Sequence, residues 1–220
     1  MNYDRLIDEL TNDLRPVEPL QPEWRRLMNW LAMSLPAAAL VVLMMGLRPD
    51  VAEKLAERMF IAQELAMIAV AVVGAWVAFL AVVPGSPRSA LWAPVIPLAA
   101  WIATMGAQYW SDLSVSGFAG MAFAVDLKCV PGIAMSGLVP IIAMIVMLRK
   151  GARFKRGVAV FWGTLASAAL ANAGLRLFHT IDAALMVIVW QFGTVLLFTA
   201  LATMAKDILL PIKPVVLANA

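Results

Sequence analysis

The stretch that decides the fold is FIAQELAMIAVAVVGAWVAFLAVVPGSPR, Phe60 to Arg88. It runs from Phe60 to Val83 with one ionisable side chain, Glu64, and stops at the turn Pro84–Pro87. A helix needs about 20 apolar residues to cross roughly 30 Å of hydrocarbon, and this run supplies them. Working outward, five more runs meet the same test: Leu27–Leu47, Ala90–Trp110, Val130–Leu148, Gly157–Leu175 and Ala183–Ala205. Pro36, Pro94, Pro97 and Pro140 lie within these runs. They are tolerated there because neighbouring helices can re-satisfy the carbonyls that proline leaves open. The expectation is an all-α membrane protein, a six-helix transmembrane bundle with a short cytoplasmic amphipathic N-terminal segment. Its expected divisions are a partner-binding segment and linker (1–26), the transmembrane domain (27–205) and a cytoplasmic tail (206–220).

Composition agrees. Hydrophobic residues make up 63% and charged residues 14%, against the usual charged share of about 25%. Eight tryptophans suit anchoring at the headgroup level. The pI near 9.3 raises nucleic acid as a partner, but the basic residues form no stripe and no binding motif. Direct nucleic-acid binding is therefore not expected. Residues 1–26 are too acidic and proline-rich for a cleavable signal peptide. The single cysteine, Cys129, rules out a disulfide within the chain.

The basic residues set orientation. Twelve lie in the two terminal segments and the 2–3 and 4–5 loops, against five in the opposite loops. The positive-inside rule then puts both termini in the cytoplasm, with the lipid bilayer as the surrounding partner.

Residues 2–14, NYDRLIDELTNDL, read as a short amphipathic helix. Tyr3, Leu6, Ile7, Leu10 and Leu14 share one face. Asp4, Asp8, Glu9 and Asp13 against Arg5 give it a charge of −3. A frayed, solvated tail is one reading. A helix lying on the membrane is disfavoured, since surface helices are usually basic and the cytoplasmic leaflet is anionic. A helix this short is marginal alone, so the third reading is ordering on a partner that offers an apolar groove with a basic rim. The stretch RPVEPLQPEW reads as an extended spacer pinned by Trp24, Arg25 and Arg26.

Polar groups gather at the other ends of the spans: Glu64, Gln108, Asn172, Asp112, Asp126, Lys128, Cys129, His179 and Asp182. An ionisable group inside a span is a functional candidate. Thiolate and imidazole form a soft-metal pair that carboxylates such as Asp126 and Asp182 could complete. Spacing alone also fits a rim wetted by water and headgroups, and both readings stand. Cys129 and His179 sit at matching span ends, which predicts one side of the membrane and enough proximity to share a ligand. The fourteen methionines are ordinary packing material. The small-residue stretch ASAALANAG, Ala166–Gly174, suits close helix packing, and Gln191 is expected to bond between helices.

Several motifs in order resemble the NrsF-type membrane anti-sigma factors, negative regulators of extracytoplasmic-function sigma factors in Gram-negative bacteria. They are LIDELTNDLRPVEPL, MGLRPD, VPGSPR, Cys129 ahead of span four, and LRLFHTIDAALMVIVWQ. The resemblance implies a protein that holds a sigma factor at the inner membrane. It implies release under a periplasmic-side stress signal such as heavy metal. Carried over, the sigma-binding residues are Tyr3, Leu6, Ile7, Asp8, Leu10 and Leu14. The sensing residues are Cys129, with His179, Asp126 and Asp182. His179 stands where the family has a second outer cysteine, which leaves a mixed Cys/His site with transient metal binding, or loss of sensing. No cofactor is required and no enzymatic activity is expected, since one His and one Cys make a poor hydrolytic or redox centre. The competing reading is a small transporter or metal permease, for which Gln191 and Glu64 are thin support.

Overall fold

The computed structural model describes residues 5, 7, 8, 11, 19–117, 129–152 and 154–211. Six helices are long and apolar enough to cross a membrane. We number them α1 (Glu23–Met45), α2 (Arg58–Ala81), α3 (Val95–Ser116), α4 (Cys129–Leu148), α5 (Arg156–Arg176) and α6 (Ala184–Met204). One-turn helices at Val51–Lys54 and Ser89–Trp92 precede α2 and α3, and another at Lys206–Leu209 follows α6. Among the described residues there is no strand.

Proline and glycine set the boundaries. Pro22 precedes α1, where its missing N–H costs nothing. Gly46, with φ of 79°, ends it in a conformation that residues with a Cβ avoid. α1 thus starts ahead of the apolar run, and Trp24, Arg25 and Arg26 belong to its first turns rather than to a spacer. Arg26 is buried and donates to the Phe79 carbonyl at 2.8 Å, capping the end of α2 with a cation over the Phe79 ring.

The bundle is built around α5. Of its best apolar window, 83% is buried, against 22% for α1 and 17% for α3. α5 touches α1, α2, α4 and α6. The small residues of Ala166–Gly174 make this possible by letting backbones approach. Gly74 of α2 faces Ala166, where an added Cβ would lie 3.2 Å from the Ala166 Cβ and 3.3 Å from the Trp162 carbonyl. Gly74→Val should therefore wedge α2 from α5 and cost about 1–3 kcal/mol, read as a lower Tm in detergent. Gly106→Ala, with open space around it, should leave the Tm unchanged.

One buried contact fixes α1 against α4, and a set of contacts between connections orders the two ends. Trp30, fully buried, donates Nε1–H to the Pro140 carbonyl at 2.9 Å. At the end where α1 starts, the Ala152 N–H reaches the Val82 carbonyl, Lys155 reaches Ser86, and Arg149 reaches the Leu209 carbonyl. The start of α1 and the ends of α2, α4 and α6 thus share one end of the bundle. Arg48, Asp112, Cys129, Arg176 and Asp182 share the other.

In α6, a π-helical segment spans Val187–Phe192. Gln191 lies in it and donates to the Ile181 carbonyl at 3.4 Å, in the connection before its own helix. Among the described residues, the expected bond to another helix is not made. The wide π turn turns the amide back along the chain instead.

Candidate functional site

Of the N-terminal residues singled out above, Tyr3, Leu6, Leu10 and Leu14 lie outside the described residues, as does Asp126. Arg5, Ile7, Asp8 and Thr11 have helical backbone, and Thr11 donates its hydroxyl to the Ile7 carbonyl at 2.8 Å. Ile7 is 56% exposed. An apolar side chain on a charged helix is thus left facing outward.

At the opposite end, α4 begins at Cys129 and α5 ends at Arg176, four residues before Thr180 of the 5–6 connection. These positions bring Cys129 Sγ to 3.4 Å from His179 Nε2. Cys129 is buried. Metal–sulfur and metal–nitrogen bonds of about 2.3 and 2.0–2.1 Å span an S···N edge of about 3.5 Å at a tetrahedral angle. The pair is therefore spaced as two donors of one ion. Among the described residues, no group of three or more His, Cys, Asp or Glu joins them.

Asp182 has different work, for which spacing gave no sign. Its carboxylate meets both Arg48 terminal nitrogens, at 3.1 and 2.5 Å, and also Lys54 at 3.4 Å and Arg176 at 3.8 Å. Arg48 is buried and follows α1 by three residues. It further binds Asp50 through two contacts of 2.7 and 2.9 Å, and donates to the carbonyls of Arg176 and His179. The Arg48 N–H bonds the Leu177 carbonyl. One guanidinium thus clasps the connection that carries His179.

Arg176 lies beside it, buried, donating to Gln63 at 2.6 Å and pairing with Glu64 at 3.5 Å. Gln63 in turn donates to Gln108, and Gln108 to the Asp182 carbonyl. The Phe60 ring stacks under both guanidiniums, 4.5 Å from Arg176 and 5.9 Å from Arg48. A polar cavity of about 200 Å³, lined by Lys54, Gln108, Asp112 and Asp182 among others, opens beside the cluster. Two buried cations survive here because carboxylates and amides surround them.

The wetted-rim reading therefore needs correction at several positions. Asn172 is fully buried, its amide 3.1 Å from the Met67 sulfur. Glu64 and Asp182 are engaged by arginines. Arg48, Arg176 and Gln63 had served only as topology markers or not at all. Their signal was nonetheless present: cations at the ends disfavoured by the positive-inside rule call for acidic partners nearby.

Hydrogen bonding to Arg48 holds the Asp50 carboxyl below the usual carboxylate range. A lowered folded pKa adds stability that is present above the unfolded value and lost as pH falls through the folded one. The clasp should weaken on acidification below that range. Asp50→Asn should flatten the acid limb of thermal unfolding against pH relative to wild type.

No curated protein and no solved structure matches the chain. A family model described as "NrsF: Negative regulator of sigma F" matches residues 10–211. That match takes in the N-terminal stretch from Leu10 onward, all six apolar helices, Cys129, His179 and the arginine clasp, and the chain belongs to this family of negative regulators.

Proposed function

We propose that the chain sequesters an extracytoplasmic-function sigma factor at the bacterial inner membrane, holding it with the N-terminal face of Tyr3, Leu6, Ile7, Leu10 and Leu14. Asp8 and its acidic neighbours face the basic rim of the partner's groove. Both termini lie in the cytoplasm, and the Cys129–His179 end faces the periplasm. The observation that carries the reading is the family match over nearly the whole chain.

Release comes from a periplasmic-side signal, with a thiophilic metal ion as its chemical class. Support for that class is the 3.4 Å approach of a buried thiol to an imidazole. A ligand can shift an equilibrium only by binding the holding and releasing states unequally. Arg48 gives the means, since it binds the backbone of His179 and follows α1, which leads back to the N-terminal segment. An ion held between Cys129 and His179 therefore fixes the connection that the clasp ties to α1.

Expression of a reporter driven by the sigma factor tests this. Cys129→Ser and His179→Ala should each keep repression in unstressed cells and abolish induction by Cd(II) or Hg(II). In intact cells of a Cys129→Ser background, an impermeant maleimide should label a cysteine placed by Val115→Cys, an exposed position near the same end of the bundle. Normal induction in both variants would overturn the metal reading. Constitutive repression with labelling only after membrane disruption would overturn the topology.

A further inference from the structure

At the end of the bundle opposite the cysteine, a groove of about 680 Å³ opens between the Ser89–Trp92 turn, the start of α5 and the end of α6. Its floor is apolar and aromatic, with Leu91, Phe161 and Trp162 among its residues. Trp92 stands at its edge, 71% exposed. Two cations border it, Arg88 and Lys155, and among the described residues no Asp or Glu lines it.

Among the described residues, no carboxylate pairs with either charge. Lys155 Nζ donates to the Ser86 carbonyl at 2.9 Å and the Ser86 hydroxyl at 2.8 Å. Both acceptors are neutral, so they fix the ammonium in place, leave its charge, and leave its third N–H. Arg88 is exposed at the groove's edge. Asp207, just beyond the end of α6, is already held by Arg156 at 2.8 Å. An apolar slot among helices that are apolar enough to span a membrane, with fixed cations and a tryptophan at its mouth, matches a phospholipid: chains in the slot, phosphate at the mouth.

We propose that this groove is a binding site for an anionic phospholipid, with Arg88 and Lys155 on its phosphate and Trp92 and Trp162 beside its chains. The proposal stands apart from the sigma-factor reading. It assigns the groove to lipid rather than to the chain's own acidic N-terminal segment, because the floor belongs to the membrane-spanning helices.

The test uses the full chain, delipidated in a neutral detergent and titrated with dioleoyl phosphatidylglycerol or dioleoyl phosphatidylcholine, with bound lipid counted by native mass spectrometry. Wild type should bind the first phosphatidylglycerol about tenfold more tightly than phosphatidylcholine, from two cations near an anionic headgroup. Arg88→Gln with Lys155→Gln should bring that preference close to unity. Arg25→Gln with Lys150→Gln removes two charges from the same end outside the groove, and should keep it. Equal binding of the two lipids by wild type would overturn the proposal. So would equal loss of preference in both double variants. A chain with Asp4, Asp8, Glu9 and Asp13 made Asn, Asn, Gln and Asn should bind as wild type does. A rise in phosphatidylglycerol binding there would give the groove to the N-terminal segment and also overturn it.

Discussion

Replacing Leu6 and Leu10 with Asp should free the sigma factor and switch on its regulon without any stress. A buried leucine anchor at a hot spot is worth about 2 kcal/mol or more, so each lost anchor weakens binding roughly thirty-fold. A charge placed in the apolar groove adds a desolvation cost on top. Membrane level should be unchanged, because both residues precede α1. Immunoblotting of membranes with transcript profiling measures the two quantities together. Replacing Asp8 and Glu9 with Lys should weaken binding less at high salt than at low salt, since exposed charges are screened. A double Leu variant present in normal amounts with a silent regulon would clear the N-terminal segment of the holding role. The basic loop from Arg149 to Arg156 would then be the place to look.

The second large effect is expected at the clasp. Asp182→Ala removes the carboxylate shared by Arg48, Lys54 and Arg176. Breaking one partner from a buried pair costs about 3–5 kcal/mol, because a charge is left uncompensated. Asp50 stays on Arg48 and Gln63 on Arg176, which puts the expected loss near 3 kcal/mol, the low end of that range. It should appear as a lower Tm in detergent and as a changed basal reporter level, since Arg48 adjoins α1. Arg48→Met with Asp182→Leu should recover most of the stability, because removing both charges removes the unpaired one. A double variant as unstable as the single would mean that packing, not charge, accounts for the loss.

The bundle's six spans were legible because length and apolarity are local properties. The expected ends match the observed ones within two residues, except at α3, which starts at Val95 and runs on to Ser116, and at α1, where Glu23–Arg26 extend the helix. That extension depends on Arg26 finding the Phe79 carbonyl, a partner more than fifty positions away. Hydropathy also could not rank the helices by depth. α5 has a mean hydropathy of 1.5, equal to α3, yet one is the centre of the bundle and the other its periphery. In a membrane, burial follows close approach of small side chains more than apolarity, so Ala166–Gly174 was the better guide.

Sequence by itself determined that this chain has six apolar helices, with a run rich in acidic residues ahead of them. Those features follow from composition and periodicity, which each stretch carries alone. Matching span ends already predicted that Cys129 and His179 come close, as they do; only the tertiary structure decided that Asp182 belongs to Arg48 and Arg176 rather than to that pair. The physical reason is that a buried charge takes whichever opposite charge the packing brings within about 4 Å, and that proximity joins residues from α1, α2, α5 and their connections that no spacing along the chain records.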